Sequence, residues 1–268
     1  MKEVKAYYDE RAESYDNVFD TLYFRVFDAV TWKFLEPYVP TNPKALVLDA
    51  AGGTGRWATR MAGKGCRVIL MDSSEGMLKA AAEKVKKAKL SRKIAIKKGE
   101  ITKTGYSDET FDMILCEHAL FLFKNPDAVI GELTRVLKKN GRLVISAQNR
   151  YVQGLSLLSG KPSVDNVELA FGRLTRKGHE CMTEDGKVKV YSWTPTEFRT
   201  MLERNGLCVE KIIGKGVTMP LRIRKETYFR KDFSEDLLDK ILEIEYALCE
   251  KPDALALAGH LQVIARKT

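Results

Sequence analysis

Apolar runs and amphipathic stretches alternate along this 268-residue chain. Short apolar runs cover residues 45–48, 67–71 and 111–116, and an acidic residue directly follows each of them. A further run precedes Gly99, and a fifth covers residues 141–150. Continuous apolar runs are typical of strands that are buried on both faces of a parallel sheet. The pattern therefore predicts an α/β fold with a mainly parallel sheet.

Helix signals lie between and after these strands. Asn125-Pro126 opens a helix over residues 125–137, which we expect to end near Asn140-Gly141. Residues 194–197, TPTE, form a capping box with proline at the first helical position. Apolar residues recur at helical spacing after Ser234. Strands are predicted to begin at Leu207 and Gly259, on either side of this last helix.

The segment ALVLDAAGGTGRWA, residues 45–58, places Asp49 at the end of the first strand and a glycine cluster directly behind it. Glycine lets the backbone turn tightly and approach a ligand closely, because it carries no Cβ atom. Ligands of open α/β sheets bind at the carboxyl ends of the strands. The segment therefore predicts a site for a nucleotide-sized ligand.

Two classes of ligand fit this segment. Gly53, Gly55 and Ala58 satisfy the dinucleotide pattern G-x-G-x-x-G/A, which would suit NAD or FAD. A pyrophosphate binds a bare helix N-terminus, however, and the carboxylate of Asp49 would repel it. A ligand with a cationic amino acid end and an adenosine end suits the acid better, and S-adenosylmethionine is such a ligand.

The chain resembles the class I S-adenosylmethionine-dependent methyltransferases, whose first motif is D-x-G-x-G-x-G. Asp49, Gly53 and Gly55 stand at three of its fixed positions, while Ala51 occupies the position of the first glycine. This substitution is expected to narrow the turn, and Gly52 beside it is expected to compensate.

A second match follows the next predicted strand. Asp72, Ser74 and Met77 resemble the string D-x-S-x-x-M-L of small methyltransferases, in which the acid binds the ribose hydroxyls and the methionine packs near the adenine. A plain core position is the alternative for Met77. Gly99 and Glu100 stand where the family usually has glycine and aspartate to bind the adenine edge.

The N-terminal segment is charged and amphipathic, with tyrosines at helical spacing. It resembles the helix that caps the cofactor pocket in the methyltransferase type 11 subgroup related to quinone-biosynthesis enzymes, where the second tyrosine, here Tyr15, faces the cofactor. Core packing explains such a stripe equally well. The segment lacks the apolar centre of a signal peptide, and no apolar run is long enough to span a bilayer.

The resemblance implies a three-layer Rossmann-like fold with a mostly parallel seven-stranded sheet, an antiparallel last strand, N-terminal helices and a lid insertion. It implies a single domain in three parts: a cofactor-binding half with cap helices (1–150), a lid (151–193), and the rest of the sheet with a helical insertion (194–268). The cofactor-binding residues that it implies are Tyr15, Asp49, Ala51, Gly52, Gly53, Gly55, Asp72, Ser73, Met77, Gly99, Glu100, Ile101, Cys116 and Glu117.

Glu117 and His118 follow the fourth strand and are the candidates for catalysis. Histidine titrates near neutral pH and can accept a proton from an N–H or O–H nucleophile. Glu117 would orient this histidine or bind the amino group of the cofactor. Methyl transfer from a sulfonium can proceed by alignment and desolvation without a base, so a plain loop position is the alternative for His118.

Residues 151–192 are too long for a simple connection and predict a lid over the acceptor site. Candidates to shape that site are Asn149, Tyr151, His179, Tyr191 and Trp193. The chain has a net charge of +9, and residues 150–231 hold 16 Lys and Arg against 9 acids. Such a basic segment predicts either an RNA-binding face or a solvated surface.

Five cysteines without a C-x-x-C pair indicate neither a disulfide framework nor a zinc site, so we expect no metal and a reducing cytoplasm. The sequence thus predicts an S-adenosylmethionine-dependent methyltransferase that acts on a nitrogen or oxygen of a small molecule or of an RNA nucleotide. An NAD-dependent oxidoreductase is one alternative. An inactive cofactor-binding scaffold, motivated by Ala51 and Glu100, is the other.

Overall fold

The computed structural model describes residues 2–158, 163–175, 180–182, 187–218 and 230–268. The strands in these ranges are β1 (Leu46–Ala50), β2 (Arg67–Asp72), β3 (Ile94–Lys98), β4 (Phe111–Cys116), β5 (Leu137–Asn149), β6 (Glu180–Met182), β7 (Lys189–Trp193), β8 (Leu207–Lys215) and β9 (His260–Lys267). The α-helices are α1 (Lys2–Arg11), α2 (Leu22–Leu35), α3 (Arg56–Gly63), α4 (Glu75–Lys87), α5 (Pro126–Val136), α6 (Arg150–Leu155), α7 (Val164–Thr175), α8 (Pro195–Glu203) and α9 (Glu235–Leu248).

The core of the sheet has the strand order β3-β2-β1-β4-β5, and these strands are parallel to their neighbours. β9 lies antiparallel between β5 and β8. The predicted mostly parallel sheet with an antiparallel last strand is therefore confirmed. Val47 and Leu48 on β1 are both fully buried, in separate apolar clusters. Because neighbouring strand residues point to opposite faces, this burial explains the continuous apolar runs in the sequence.

A short hairpin of β6 and β7 brings the sheet to nine strands among the described residues, where the sequence predicted seven. Gln148 at the end of β5 pairs with Ser192 of β7 on one side and with His260 of β9 on the other. β7 therefore pairs with the same side of β5 as β4 does, beyond the residue at which β4 ends. It extends the sheet above the carboxyl end of β4, beside the cleft described below.

The helix predicted from Asn125 ends earlier than expected. It stops at Val136, and the buried Leu137 already pairs with Phe111 of β4. The prediction of a helix end near Asn140 was wrong because the sheet takes up these residues after an irregular register between the two strands. By contrast, the capping box before α8 is present, with both reciprocal bonds of Thr194 and Glu197.

The predicted N-terminal amphipathic segment is divided into two elements. α1 ends at Arg11, and Tyr15 lies in a separate 3₁₀ helix, Tyr15–Asp20. α2 follows, and residues such as Val26 and Val30 on its apolar face are fully buried. None of the helices in the described ranges is long and apolar enough to cross a bilayer.

Candidate cofactor and acceptor site

A cleft opens at the carboxyl ends of β1, β2 and β4, with about 880 Å³ of empty space including its mouth. Ligand pockets of proteins have volumes of this order. Of the residues that the sequence predicted for the cofactor, those that line the cleft are Tyr15, Asp49, Ala51, Gly52, Gly53, Asp72, Ser73, Met77 and Glu117. The candidate base His118 lines it as well.

The glycine loop wraps around a buried carboxylate. A Cβ atom on Gly52 would lie 2.9 Å from both Cγ and Oδ2 of Asp49. Gly53 has a φ of +53°, and a Cβ atom there would contact nothing within 4 Å. Its backbone N–H donates to Oδ2 of Asp72 at 2.9 Å, so the loop connects the ends of β1 and β2. The loop thereby leaves its outer face open to a ligand.

Ala51 has a φ of +60°, in the left-handed region that favours glycine. The family motif has glycine at this position, and the geometry explains that preference. Gly52 is not among the residues with positive φ, so Ala51 itself adopts the left-handed conformation. The chain instead accepts a strained alanine, at a cost of about 1 kcal/mol.

Asp72 is oriented by two backbone donors. Its Oδ2 accepts from Gly53, and its Oδ1 accepts from the N–H of Ser74 at 2.9 Å. Burial raises the pKa of this carboxyl, and the amide donors counteract the rise. Each carboxylate oxygen can accept a further hydrogen bond. Asp72 is thus held in place and still able to accept the hydroxyls of a ribose.

Two carboxylates have an unpartnered oxygen inside the cleft. Asp49 is 1% exposed and Glu117 is 7% exposed. Neither Oδ2 of Asp49 nor Oε2 of Glu117 has a hydrogen-bond partner among the described residues. Burial raises the pKa of Asp49 to about 7, with further contributions from the charges of Asp72 and Glu117. The ammonium group of S-adenosylmethionine would supply a positively charged donor to these two unpartnered oxygens.

The other oxygen of Glu117 is bound by Lys215, a residue that the sequence analysis missed. Lys215 is fully buried and pairs with Oε1 of Glu117. It also donates to Oγ1 of Thr31 at 3.2 Å and lies 4.0 Å from the centre of the Phe27 ring. Burial lowers the pKa of Lys215. The only signal in the sequence is a lysine after the apolar residues of β8.

His118 lies in an aromatic environment. Its ring stacks on His260 at 4.6 Å and meets the Phe27 ring edge-on at 4.6 Å. Its backbone N–H donates to Oγ of Ser146 at 2.9 Å, and its φ is +57°. The Nε2 atom is buried without a partner among the described residues.

Burial lowers the pKa of His118 to about 3, and the nearby positive charges of Lys215 and Arg56 lower it further. A histidine with this pKa is neutral at physiological pH and accepts a proton only weakly. Its role as a base therefore stays a prediction, and the local electrostatics favour a neutral hydrogen-bonding group instead.

The N-terminal elements cover the cofactor end of the cleft. Oδ1 of Asp9 on α1 accepts from Oγ of Ser74 at 2.6 Å and from the N–H of Gly76 at 2.9 Å, at the start of α4. Burial raises the pKa of Asp9, but Ser74, Lys5 and Gly76 lower it more, to about 2. Thus α1 is attached to α4 through an ionised carboxylate.

The 3₁₀ helix is attached to the glycine loop in a similar way. Thr54 donates to Oδ1 of Asp16 at 2.7 Å, and Lys84 binds both residues. Tyr15 is thereby held in the wall of the cleft, where burial raises its pKa to about 12. Tyr15 therefore lines the cleft, and its contact with the cofactor stays a prediction.

Five predicted cofactor residues do not line the cleft. Gly55 has a φ of +79° and packs against Leu70 instead. Gly99 packs against Met71, where a Cβ atom would lie 3.0 Å from Sδ. Glu100 is exposed, and its backbone forms an isolated antiparallel β-bridge with Lys103. The remaining two, Ile101 and Cys116, belong to the apolar core.

A second cavity, with about 780 Å³ of empty space including its mouth, adjoins the cleft. The two share a wall formed by Val4, Leu122 and Phe123. Of the predicted acceptor residues, only Tyr191 lines this cavity. The other predicted residues have different places: Asn149 caps α6, Tyr151 is half-buried, Trp193 is in the core, and His179 lies outside the described residues.

Comparison with known proteins identifies the family of this fold and site. Residues 48–145 match the Methyltransf_11 methyltransferase domain. These residues form an S-adenosylmethionine-dependent methyltransferase domain. The predicted family and cofactor are therefore confirmed, and the oxidoreductase alternative is not.

Two curated relatives differ in how much of this chain they match. A demethylmenaquinone methyltransferase of Bacteroides fragilis is 32% identical over 155 residues, which cover 54% of this chain and 59% of that protein. The chain thus spans about six-tenths of the length of that relative. The tRNA 5-carboxymethoxyuridine methyltransferase of Escherichia coli O157:H7 is 26% identical over 264 residues, or 97% of this chain and 95% of the relative.

The fold of the methyltransferase also has solved counterparts. A putative S-adenosylmethionine-dependent methyltransferase from Listeria monocytogenes superimposes with a TM-score of 0.63 at 19% identity, over 91% of this chain and 99% of that one. This similarity confirms the predicted Rossmann-like fold.

Proposed function

We propose that this protein transfers a methyl group from S-adenosylmethionine to a carboxylate oxygen of a modified nucleotide in tRNA. The cofactor supplies an electrophilic methyl group on a sulfonium. Asp49 and Glu117 would bind its ammonium group, because both have an unpartnered buried oxygen. Asp72 would bind the ribose, and Tyr15 would cover the cofactor from the side of the N-terminal segment.

The choice of a carboxylate acceptor rests on the state of the two candidate catalytic residues, since Asp49, the other carboxylate with an unpartnered oxygen, is assigned to the ammonium group of the cofactor. Glu117 is paired with Lys215, and the pKa of His118 is lowered to about 3. An N–H or O–H nucleophile would have to lose a proton during the reaction, whereas a carboxylate is already ionised at neutral pH. Alignment and exclusion of water are then sufficient for transfer.

The balance of the reaction is simple. A carboxylate oxygen of the acceptor forms a bond to the methyl carbon while the bond from that carbon to sulfur breaks, and the electron pair of that bond stays on sulfur. The products are a methyl ester and S-adenosylhomocysteine, and no proton moves. The neutral Nε2 of His118 would bind the acceptor rather than deprotonate it.

The choice of tRNA is supported by the extent of similarity. The quinone-type relative matches about half of the chain, whereas the tRNA methyltransferase matches it from end to end. In this protein the parts beyond the matched domain at 48–145 include β7 and Tyr191, which adjoin the cleft. Similarity that extends over these parts favours a nucleotide acceptor.

The test is transfer of a labelled methyl group into bulk tRNA from source cells that lack the gene. We expect label that is sensitive to nuclease and is released as methanol by mild alkali, since esters hydrolyse under conditions that leave N-methyl and C-methyl groups intact. Asp49→Asn should abolish transfer, and Asp253→Asn, a change of an exposed acid, should not. Alkali-stable label in tRNA would contradict the carboxylate, and no label with any acceptor would favour an inactive scaffold.

A quinone precursor is the second candidate acceptor, because of the 32% identity to the demethylmenaquinone methyltransferase. Phe19, Phe27 and Phe123 give the cleft an aromatic wall that would suit an apolar ring. The same assay with demethylmenaquinone separates the two proposals. Label that enters the organic phase and resists alkali would favour the quinone.

A further inference from the structure

The densest positive charge of this chain lies outside the predicted lid. Residues 79–103 contain ten Lys and Arg and only two Glu, a net charge of +8 within 25 residues. They cover the second half of α4, the connection to β3, β3 itself and the turn after it. We call this surface the α4–β3 strip. Its exposed cations are Lys79, Lys86, Lys87, Lys89, Arg92, Lys93, Lys97, Lys98 and Lys103.

Most cations of the α4–β3 strip have no acidic partner. Lys84 pairs with Asp16 and Lys98 pairs with Glu75. The other exposed cations of the strip form no ion pair with any described residue. The local electrostatic field is therefore strongly positive, and it would attract a polyanion.

The other basic segment, residues 150–231, differs from the strip in how its cations are paired. Every Lys and Arg in the described parts of residues 150–231 has a polar partner, such as Glu197 for Arg150 and Asp127 for Arg204. Arg176, Lys177, Arg222, Arg224 and Lys225 lie outside the described residues. Most of these described cations pair with an acid, whereas most cations of the α4–β3 strip do not, although the sequence predicted the RNA-binding face within residues 150–231.

Protection of the sheet edge does not account for the whole strip. β3 is an edge strand, and lysines on edge strands prevent pairing with other chains. That reason applies to Lys97 and Lys98. It does not apply to Lys79 and Lys86, which lie on the outer face of α4, or to Lys103, which follows the strand.

The strip also leads toward the active site. β3 ends at Lys98, and Thr102, beside Lys103, lines the second cavity together with Lys124. That cavity shares its wall with the cleft. The nine residues of α4 that belong to the strip, 79–87, extend it by about 14 Å away from this opening. This length is sufficient to contact several successive phosphates.

We propose that the α4–β3 strip binds the phosphate backbone of the RNA whose nucleotide enters the cleft through the second cavity. The proposal rests on the proposed function, because a small acceptor would need no such surface. The strip contacts phosphates and therefore contributes affinity and orientation, while the cavity and the cleft select the nucleotide.

The test compares two triple variants. Lys79→Gln/Lys86→Gln/Lys103→Gln removes three unpaired cations from the strip. Lys44→Gln/Lys139→Gln/Lys251→Gln removes three exposed lysines that also lack an ion pair among the described residues but lie elsewhere. Binding of bulk tRNA is measured over a salt series, with S-adenosylhomocysteine affinity as the control for folding. We expect the strip variant to bind at least tenfold more weakly and to reduce the slope of log K against log salt by about two to three.

The outcomes separate this proposal from the proposed function. If the wild type methylates tRNA and both triple variants bind it equally well, the strip proposal is wrong and the proposed function stands. If the strip variant alone loses tRNA binding but label enters only small metabolites, binding of RNA by the strip is supported, whereas the proposed function and the entry of a nucleotide into the cleft are both wrong. Retention on vesicles of anionic phospholipid without binding of tRNA would overturn both.

Discussion

The raised pKa of Asp49 predicts that cofactor binding is coupled to proton release. Burial holds this pKa at about 7 in the free protein. The ammonium group of the ligand pairs with the ionised carboxylate, so binding below pH 7 requires that Asp49 first lose a proton. The ionised fraction is about one half at pH 7 and about one hundredth at pH 5, so the Kd for S-adenosylhomocysteine should rise about 50-fold between these values, equivalent to about 2.3 kcal/mol.

Titration calorimetry at pH 5, 6 and 7 measures this dependence. An amino group of the α type titrates above this range, and His118, with its pKa of about 3, titrates below it. Repeating the measurement at pH 5 in buffers of different ionisation enthalpy should detect release of nearly one proton on binding. The reasoning is refuted if the Kd changes less than twofold and no proton is released.

Two variants assign the effect to a residue. Asp49→Asn should bind the ligand weakly with a flat pH profile, because no carboxylate titrates at that position. Burial also raises the pKa of Asp72. Asp72→Asn should weaken binding through the lost ribose contact, yet it should retain the pH dependence that belongs to Asp49.

Three further predictions concern stability. The pKa of Asp49 is higher in the folded protein than in the unfolded chain. Protonation of Asp49 therefore stabilises the folded state at a pH below its unfolded pKa, and this stabilisation is lost as the pH rises through about 7. Asp49→Asn should therefore raise the free energy of unfolding of the free protein at pH 8 by up to about 4 kcal/mol, measured as a higher melting temperature, but not at pH 4. Ala51→Gly should stabilise by about 1 kcal/mol in calorimetry, and an unchanged melting temperature would argue against strain at Ala51. Lys215→Met should destabilise by about 3 to 5 kcal/mol in urea unfolding, and adding Glu117→Gln should restore most of the loss; an equally unstable double variant would count against the ion pair.

Local sequence patterns were sufficient to predict the mostly parallel sheet and the position of the glycine loop. Strand runs, caps and the acids that follow β1 and β2 depend on neighbours in the chain, so Asp49 and Asp72 could be placed without the structure. The bulged start of β5 depends on pairing with β4, and the sequence analysis placed it incorrectly.

Properties that depend on distant contacts could not be predicted in this way. The low pKa of His118 arises from burial and from Lys215, which lies 97 residues further along the chain. Counting charges drew attention to the lid, but only the structure distinguishes paired cations from unpaired ones. Gly99 matches the family motif, yet it packs against Met71 rather than facing the cleft.

The attachment of α1 has a consequence for turnover. A single carboxylate, Asp9, connects α1 to the start of α4, and most side chains of α1 are exposed or half-buried. A helix with so few buried contacts can detach at a free energy far below that of global unfolding. Val4 and Tyr8 would leave the wall of the cleft with it. We therefore expect local detachment of α1 to open the cofactor end of the cleft for exchange of the cofactor, while the sheet stays intact.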